Sequence, residues 1–419
     1  MPQPRNLYQA NLRQSTPTGT LRAFADTHLD RLAALHIDGL WLMPIHPIGE
    51  ANRKGTLGSY YAVRDYYAVN PELGTADDLR YLIEQAHARR ISVYLDWVAG
   101  HTSTDAVLLH DHPEWYARDA DGRLRSTPWR DYDDIVNLDY RHRGLRDYMI
   151  HAMTYWVREF DVDGFRCDLA SFVPLGFWQE ARRALDRVKP VFMLAEGADR
   201  DLHDRAFDCT YSWEFWNKLH AIAVLNGPVA GLTEGYLAEQ AGTWPRHGSR
   251  LHFIDNHDKN SWEGNQITNF GAALPAAIVL SCTLEGIPLL YSGQEAGLDR
   301  SLAFFDRDPI SWQDHSLGDL YGSLFALRTR VRALWPGRAG APVERIRHDR
   351  EGQVVAFRRG GVEAAVVVVV NLSNQQAEVT LEQVCGTYSE LFSQVTSELG
   401  ERTISLAAWE YRVFERAAG

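Results

Sequence analysis

Residues 91–96 read ISVYLD, an apolar run that stops on an acid, and three later runs do the same: 163–168 (DGFRCD), 191–196 (VFMLAE) and 251–258 (LHFIDNHD). Each reads as a buried strand delivering a carboxylate to its carboxyl end, at Asp96, Asp168, Glu196 and Asp258. When parallel strands close into a barrel, that end and the loops beyond it converge on one mouth. Carboxylates gathered there are the equipment for cleaving a glycosidic bond.

Outward from these runs, the chain from residue 6 to about 335 alternates short apolar segments with helix-period segments. The apolar ones are NLYQANL, GLWLMPI, ISVYLDW, GFRCDLA, VFMLAE, AFDCTYS, LHFIDN and IPLLYSG. Repeated βα units predict a parallel sheet, and eight of them predict an α/β fold, the (β/α)8 TIM barrel. The helices between show the faces this needs: Leu21, Phe24, Leu29, Leu32 and Leu35; Leu79, Leu82, Ile83 and Ala86; and Phe177, Ala181, Ala184, Leu185 and Val188. Thr75 followed by Asp78 has the form of a helix N-cap.

Two stretches break the alternation. Residues 101–143, polar and rich in Asp, His, Trp and Tyr, predict a short insertion after the third strand. WPGRAGAP, at 335–342, punctuates the chain. Beyond it GQVVAFRRG, EAAVVVVVNLS, AEVTL and AWEYRVFER predict a C-terminal antiparallel β-domain, with Val366 to Val370 as a buried strand. The expected organisation is a catalytic barrel over 1–100 and 144–335, the short insertion over 101–143, and a β-sandwich-like domain over 336–419.

A chain of 419 residues accommodates a barrel of roughly 250 residues or more plus an appendage. Its 45% apolar and 23% charged residues are the mix of an ordinary globular protein. A net charge of −12 opposes phosphate backbones, so nucleic acid is not an expected partner. Cys167, Cys209, Cys282 and Cys385 are widely spaced and expected to be free thiols. The opening residues lack the pattern of a secretory signal and no later apolar run approaches roughly 18 residues, which predicts cytoplasmic residence and no membrane partner. Nothing in the sequence speaks to oligomeric state.

DWVAGH ending at His101, GFRCD ending at Asp168, Glu196 after its apolar strand, and FIDNHD ending at Asp258 resemble, in order and spacing, the four signature regions of the α-amylase superfamily, glycoside hydrolase family 13. The likeness extends to GSYYAVRDYYAVNPELGT (58–75), IVNLDY (135–140), IPLLYSGQE (287–295) and the terminal β-domain, and so covers most of the chain. It implies a retaining glycosidase that cleaves α-1,4-glucosidic bonds in malto-oligosaccharides or starch-type glucans.

By this resemblance Asp168 is the nucleophile, and Arg166, two residues earlier on the same strand face, favours its ionised form. Glu196 is the acid/base, with neighbouring negative charge and partial desolvation keeping a proton on it. Asp258 would bind the sugar hydroxyls more strongly as the ring flattens toward the transition state. His101 and His257 would donate hydrogen bonds to the same sugar, and Asp96 would orient Arg166 or its neighbours. Tyr61, four residues before Asp65, would lay its ring on a glucose face. Trp97, Trp115, Trp129, Trp213, Trp216 and Trp262 fall in segments expected to border the cleft, with no role assigned to any one of them.

The sequence also departs from the family pattern. Gly100 stands where calcium-dependent members usually carry Asn, and it has no side-chain oxygen for a hard cation. Ser171 and Phe172 replace a usual Lys and His, removing a calcium-associated ligand and two contacts on the leaving-group side. Residues 47–60 hold no Asp-x-Asp-x-Asp-Gly loop. No metal and no other cofactor is therefore expected. Ala62, where exo-acting α-glucosidases typically place Asp, weighs against simple exo-glucosidase action. Two rivals remain. One is a glucosyltransferase using α-glucan or sucrose, for which YAV at 61–63 speaks and the lack of an added N-terminal helical region speaks against. The other is a non-catalytic glycan-binding barrel, against which the intact set Asp168, Glu196 and Asp258 stands.

Overall fold

The computed structural model describes residues 3–126, 132–361, 366–400 and 403–416. All eight apolar runs are strands: β1 (Leu7–Ala10), β2 (Gly39–Leu42), β3 (Ser92–Val98), β4 (Gly164–Asp168), β5 (Phe192–Ala195), β6 (Cys209–Tyr211), β7 (Ser249–Phe253) and β8 (Ile287–Tyr291). They close a barrel in the order β1-β8-β7-β6-β5-β4-β3-β2. The fold class expected from the sequence is the one observed.

Parallel register sets which residues meet at the strand ends. Asp96 lies opposite Arg166 and Val98 opposite Asp168 across β3 and β4, and Cys167 lies opposite Ala195 across β4 and β5. Asp168 therefore ends β4 beside the tip of β5, and Glu196 is the next residue of that tip. The close approach of these two strands requires Gly164: its φ is 150°, and a Cβ there would lie 1.9 Å from the Phe192 carbonyl oxygen.

The returning helices form as their periodicity predicts. Helix α1 (Leu21–Ala34) buries Leu21, Phe24, Leu29 and Leu32, while Leu35 is its C-cap. Helix α2 (Ala76–Ala88) starts at a capping box in which Thr75 and Asp78 exchange hydrogen bonds. Helix α3 (Arg143–Phe160) leads into β4, and α4 (Leu175–Asp186) buries Phe177, Ala181 and Leu185 but ends before Val188. In the insertion, His101–Ser103 pairs antiparallel with Ile135–Asn137. Residues 127–131, Trp129 among them, lie outside the described residues.

The chain packs as two compact units, Met1–Tyr211 with Leu302–Ser311, and Ser212–Ser301 with Trp312–Gly419, a division by packing rather than by chain topology. In the second unit, six antiparallel strands run in the spatial order Val343–Arg345, Val354–Arg359, Val366–Asn371, Tyr411–Arg416, Gly386–Glu390, Thr396–Leu399, and Ala377–Thr380 pairs with Thr403–Leu406. Val354, Val367, Val369, Val379 and Leu406 make its core, and Val366 to Val370 are fully buried. Gln266–Thr283 is an 18-residue window of mean hydropathy 1.2, and 72% of it is buried inside the fold, which makes it a core segment. The four cysteines are free thiols, Cys385 exposed and the others buried.

Candidate active site

Arg166 organises the site in the first unit. Strand alternation points Arg166 and Asp168 to one face of β4, and Arg166 Nη1 donates to Asp168 Oδ1 at 3.0 Å and to Asp96 Oδ1 at 2.8 Å. Its Nη2 lies 2.8 Å from Glu196 Oε2, an ion pair without hydrogen-bond alignment. Its Nε donates to the Tyr211 hydroxyl at 3.3 Å. The rings of Trp41, Tyr61 and Tyr211 surround the guanidinium carbon at 5.0, 5.6 and 5.8 Å, favouring a cation in their midst. Burial opposes the charge of Arg166, but the facing Asp96, Tyr211 and Glu196 outweigh it and hold the group protonated.

Asp96 is the innermost carboxylate. Its second oxygen accepts hydrogen bonds from Trp41 Nε1 and the Tyr61 hydroxyl, both at 3.0 Å. Burial nevertheless pushes its carboxyl up to about 6, against the pull of Arg166. His101 is also buried; desolvation pushes its imidazole down to about 4, with a hydrogen bond to the Tyr61 backbone acting the other way. A neutral ring at that place can donate one hydrogen bond and accept another.

Glu196 is held by the turn that follows Asp168. Leu169 N–H donates to Glu196 Oε2 at 2.8 Å, and Ala170 N–H donates to the Glu196 carbonyl at 2.9 Å. Leu169 reaches this position in the left-handed region, φ 43° and ψ 42°, which costs a side-chain-bearing residue about 1–2 kcal/mol. Strain accepted beside two carboxylates is the pattern of a functional turn.

In the second unit, the structure corrects one reading. The run that contains Asp258 leaves the strand at Phe253, and Asp258 is the N-cap of the π-helical turn Lys259–Glu263. Asn256 Oδ1 accepts from Lys259 N–H at 2.8 Å, which bends the chain into that turn. His257 is buried, with Nε2 3.5 Å from Asp258 Oδ2, and Asp258 is partly exposed.

Residues 6–133 and 129–319 match the family described as Alpha amylase, catalytic domain, and residues 346–410 match Alpha amylase, C-terminal all-beta domain. The chain belongs to the alpha-amylase family. Among solved structures it is similar to a noncanonic maltogenic alpha-amylase, AmyB, of Thermotoga neapolitana, with 30% identity, a TM-score of 0.89 and 99% of each chain covered. An alpha-amylase of Lactobacillus plantarum is also similar, at 30% identity and a TM-score of 0.87, again with 99% of each chain covered. Alpha-amylase MalA of Haloarcula japonica is 29% identical over 84% of this chain, and the chain spans about half of that relative, 52%.

Within this alpha-amylase family member, Tyr61, Asp96, His101, Arg166, Asp168 and Glu196 form one connected network in the first unit, and His257 and Asp258 sit together in the second. Sequence reasoning missed Trp41, Tyr211, Leu169 and Phe304. Trp41 and Tyr211 lie inside apolar runs and read as packing. Leu169 carries no signal, because its role is performed by its backbone. Phe304 stacks on Tyr61 at 14° with centroids 6.3 Å apart, and Arg13 Nη1 ties its carbonyl to that of Gly58 at 3.1 and 3.0 Å. Of the tryptophans, Trp97 and Trp216 are buried and serve packing, whereas Trp262 is 49% exposed.

Proposed function

We propose that this chain hydrolyses α-1,4-glucosidic bonds in malto-oligosaccharides or starch-type glucans by double displacement with retention. The observation that carries the reading is the single Arg166 guanidinium within 3.0 Å of Asp168 and 2.8 Å of Glu196. One planar group reaches both carboxylates only when they flank the same small space, which is where the two acids of a double displacement have to stand.

Asp168 attacks the anomeric carbon while Glu196 gives its proton to the departing glycosidic oxygen. Glu196 then takes a proton from water, which attacks the glycosyl–Asp168 ester and releases a product of the starting configuration. Arg166, braced by Asp96, keeps positive charge beside the nucleophile. Asp258 is assigned to the hydroxyls of the reacting sugar by its place in FIDNHD, with His101, His257 and Tyr61 as further sugar contacts. Phe304, stacked behind Tyr61, keeps that ring in place. The names of the similar proteins, alpha-amylase and maltogenic alpha-amylase, support the substrate class.

None of these steps draws on a metal. Gly100 has open space where a side chain would stand and no oxygen to offer a hard cation, and among the described residues no three His, Cys, Asp or Glu side chains cluster in a way that could hold one. Free buried thiols at Cys167, Cys209 and Cys282 support residence in the cytoplasm.

The test is Asp168→Asn with maltoheptaose, following reducing ends and the anomeric form of the first product. Loss of several powers of ten in rate, with the α-anomer released first by the parent, is the expected result. Activity within tenfold of the parent, or release of the β-anomer, would overturn the mechanism.

A further inference from the structure

His101 is separated from β3 by only Ala99 and Gly100, and a side chain at Gly100 would meet open space. So short a link has little side-chain packing of its own to fix it. Hydrogen bonds fix it instead. Every backbone carbonyl from Val98 to His101 accepts from a group that lies outside the link.

The Tyr66 hydroxyl donates to the Val98 carbonyl at 2.7 Å and to the His101 carbonyl at 3.1 Å, one proton shared between the two sides of the bend. The Tyr140 hydroxyl donates to the Ala99 carbonyl at 2.8 Å, and Leu138 N–H to the Gly100 carbonyl at 3.0 Å. Both phenols are buried, and burial pushes them well above the usual tyrosine range, so each keeps the proton it donates. Their rings are held in turn. Tyr66 packs against His46 and Trp97, and its carbonyl accepts from Trp156 Nε1 at 2.8 Å. Tyr140 packs on Phe177 of α4, with centroids 4.6 Å apart.

We infer that Tyr66 and Tyr140 are positioning residues, whose hydroxyls hold the backbone from Val98 to His101 so that the His101 imidazole meets the reacting sugar at a fixed place. This rests on the reading of His101 as a sugar contact. Val98 stands opposite Asp168 in the barrel, so the clamp ties His101 to the strand beside the nucleophile. A hydrogen bond to the sugar speeds the reaction only where its geometry suits the transition state, and a preset backbone supplies that geometry without ordering a loop during turnover. The two hydroxyls act through His101, and neither needs to touch the sugar.

The experiment is a mutant cycle in the full chain on maltoheptaose: the parent, Tyr66→Phe, Tyr140→Phe, His101→Ala, and each phenylalanine variant combined with His101→Ala. Phenylalanine keeps the ring and removes only the hydroxyl. In the otherwise native chain each should lower kcat about tenfold, short of the roughly 100-fold that a 1 Å displacement costs, with KM within about twofold of the parent. With His101→Ala already in place, itself a loss of about 100-fold, the same changes should lower kcat by less than about twofold. A merely structural role would not depend on His101. Circular dichroism checks the fold of each variant, and if one phenylalanine variant unfolds the other carries the cycle. Equal losses in both backgrounds, a loss carried by KM alone, no loss in either, or unfolding of both phenylalanine variants would overturn the inference while the parent still cleaves maltoheptaose. A parent that leaves maltoheptaose intact would overturn the hydrolase reading and the inference with it, so the two failures are distinguishable.

Discussion

Arg166 and Asp96 form an ion pair sealed from water, with Nη1 2.8 Å from Oδ1 and side chains 1% and 0% exposed. The same nitrogen serves Asp168, so one cation stands among three carboxylates. Attraction at this depth is strong only because geometry and hydrogen bonds offset the loss of hydration. Removing part of the guanidinium should therefore affect both stability and chemistry.

Arg166→Lys keeps the charge but cannot span three partners, because an ammonium lacks the planar fork. Activity on maltoheptaose should fall at least about 100-fold. Asp96→Ala, which leaves the buried cation short of a partner, should destabilise the fold by about 3–5 kcal/mol. Circular dichroism and thermal unfolding of each variant separate the two effects. Parent-like rates in Arg166→Lys would show that a point charge suffices.

Stability should depend on Asp255. Burial pushes its carboxyl from 3.8 up to about 8, against hydrogen bonds from Asn260 and the Asn256 backbone. The native state thus holds a proton that the unfolded chain releases near pH 4. This stabilisation is complete below pH 3.8 and is lost as pH rises through 8, with a slope of up to about 1.4 kcal/mol per pH unit. Between pH 6.5 and 8 it is distinct from Asp96, raised only to about 6, and from His46 and His101, lowered to about 4, but it shares that window with His87, whose imidazole the Asp163 carboxylate raises above 6.5, so the variant rather than the profile alone identifies it. Denaturant unfolding of the parent should weaken across that window, and Asp255→Asn should flatten the profile. An unchanged slope in the variant would assign it elsewhere.

Arg359 is a structural clamp in the second unit. Fully buried, it donates to the carbonyls of Ala341, Thr283 and Ala333 at 2.7, 2.9 and 2.9 Å. It joins its strand to the end of helix Leu274–Thr283. Burial lowers its affinity for the proton. Arg359→Met strands three acceptors, each worth about 1–3 kcal/mol when left unpaired. Calorimetry of the full chain should show a lower Tm, and a variant that melts with the parent would refute the clamp.

Chelation should leave turnover intact. Incubation with EDTA followed by assay on maltoheptaose is expected to retain the parent rate, because Gly100 and Phe172 supply no oxygen ligand. Loss of activity restored by calcium would reverse the proposal.

The barrel was legible because every one of its strands is a short apolar run bounded by polar chain, a local signal. The carboxylates were legible for the same reason, since each closes such a run. Asp258 shows the limit of that logic: its run ends at Phe253, and the side chains of Asn256 and Asn260 turn the following residues into a helix that no periodicity announces. Tyr61 was expected as a flat face for sugar, and its hydroxyl turns out to be a ligand of Asp96.

By itself the sequence determined which segments become the barrel strands, that Asp168 and Glu196 stand at strand ends, and which family the chain resembles, because burial imposes a period that neighbouring residues must share. Only the tertiary structure decided that Trp41 and Tyr61 meet Asp96, that Arg13 grips the carbonyl of Phe304 from 291 positions away, and that the Leu169 backbone holds Glu196. Those meetings depend on how the closed sheet aligns its strands and returns its loops, a property of the whole chain that no short segment carries.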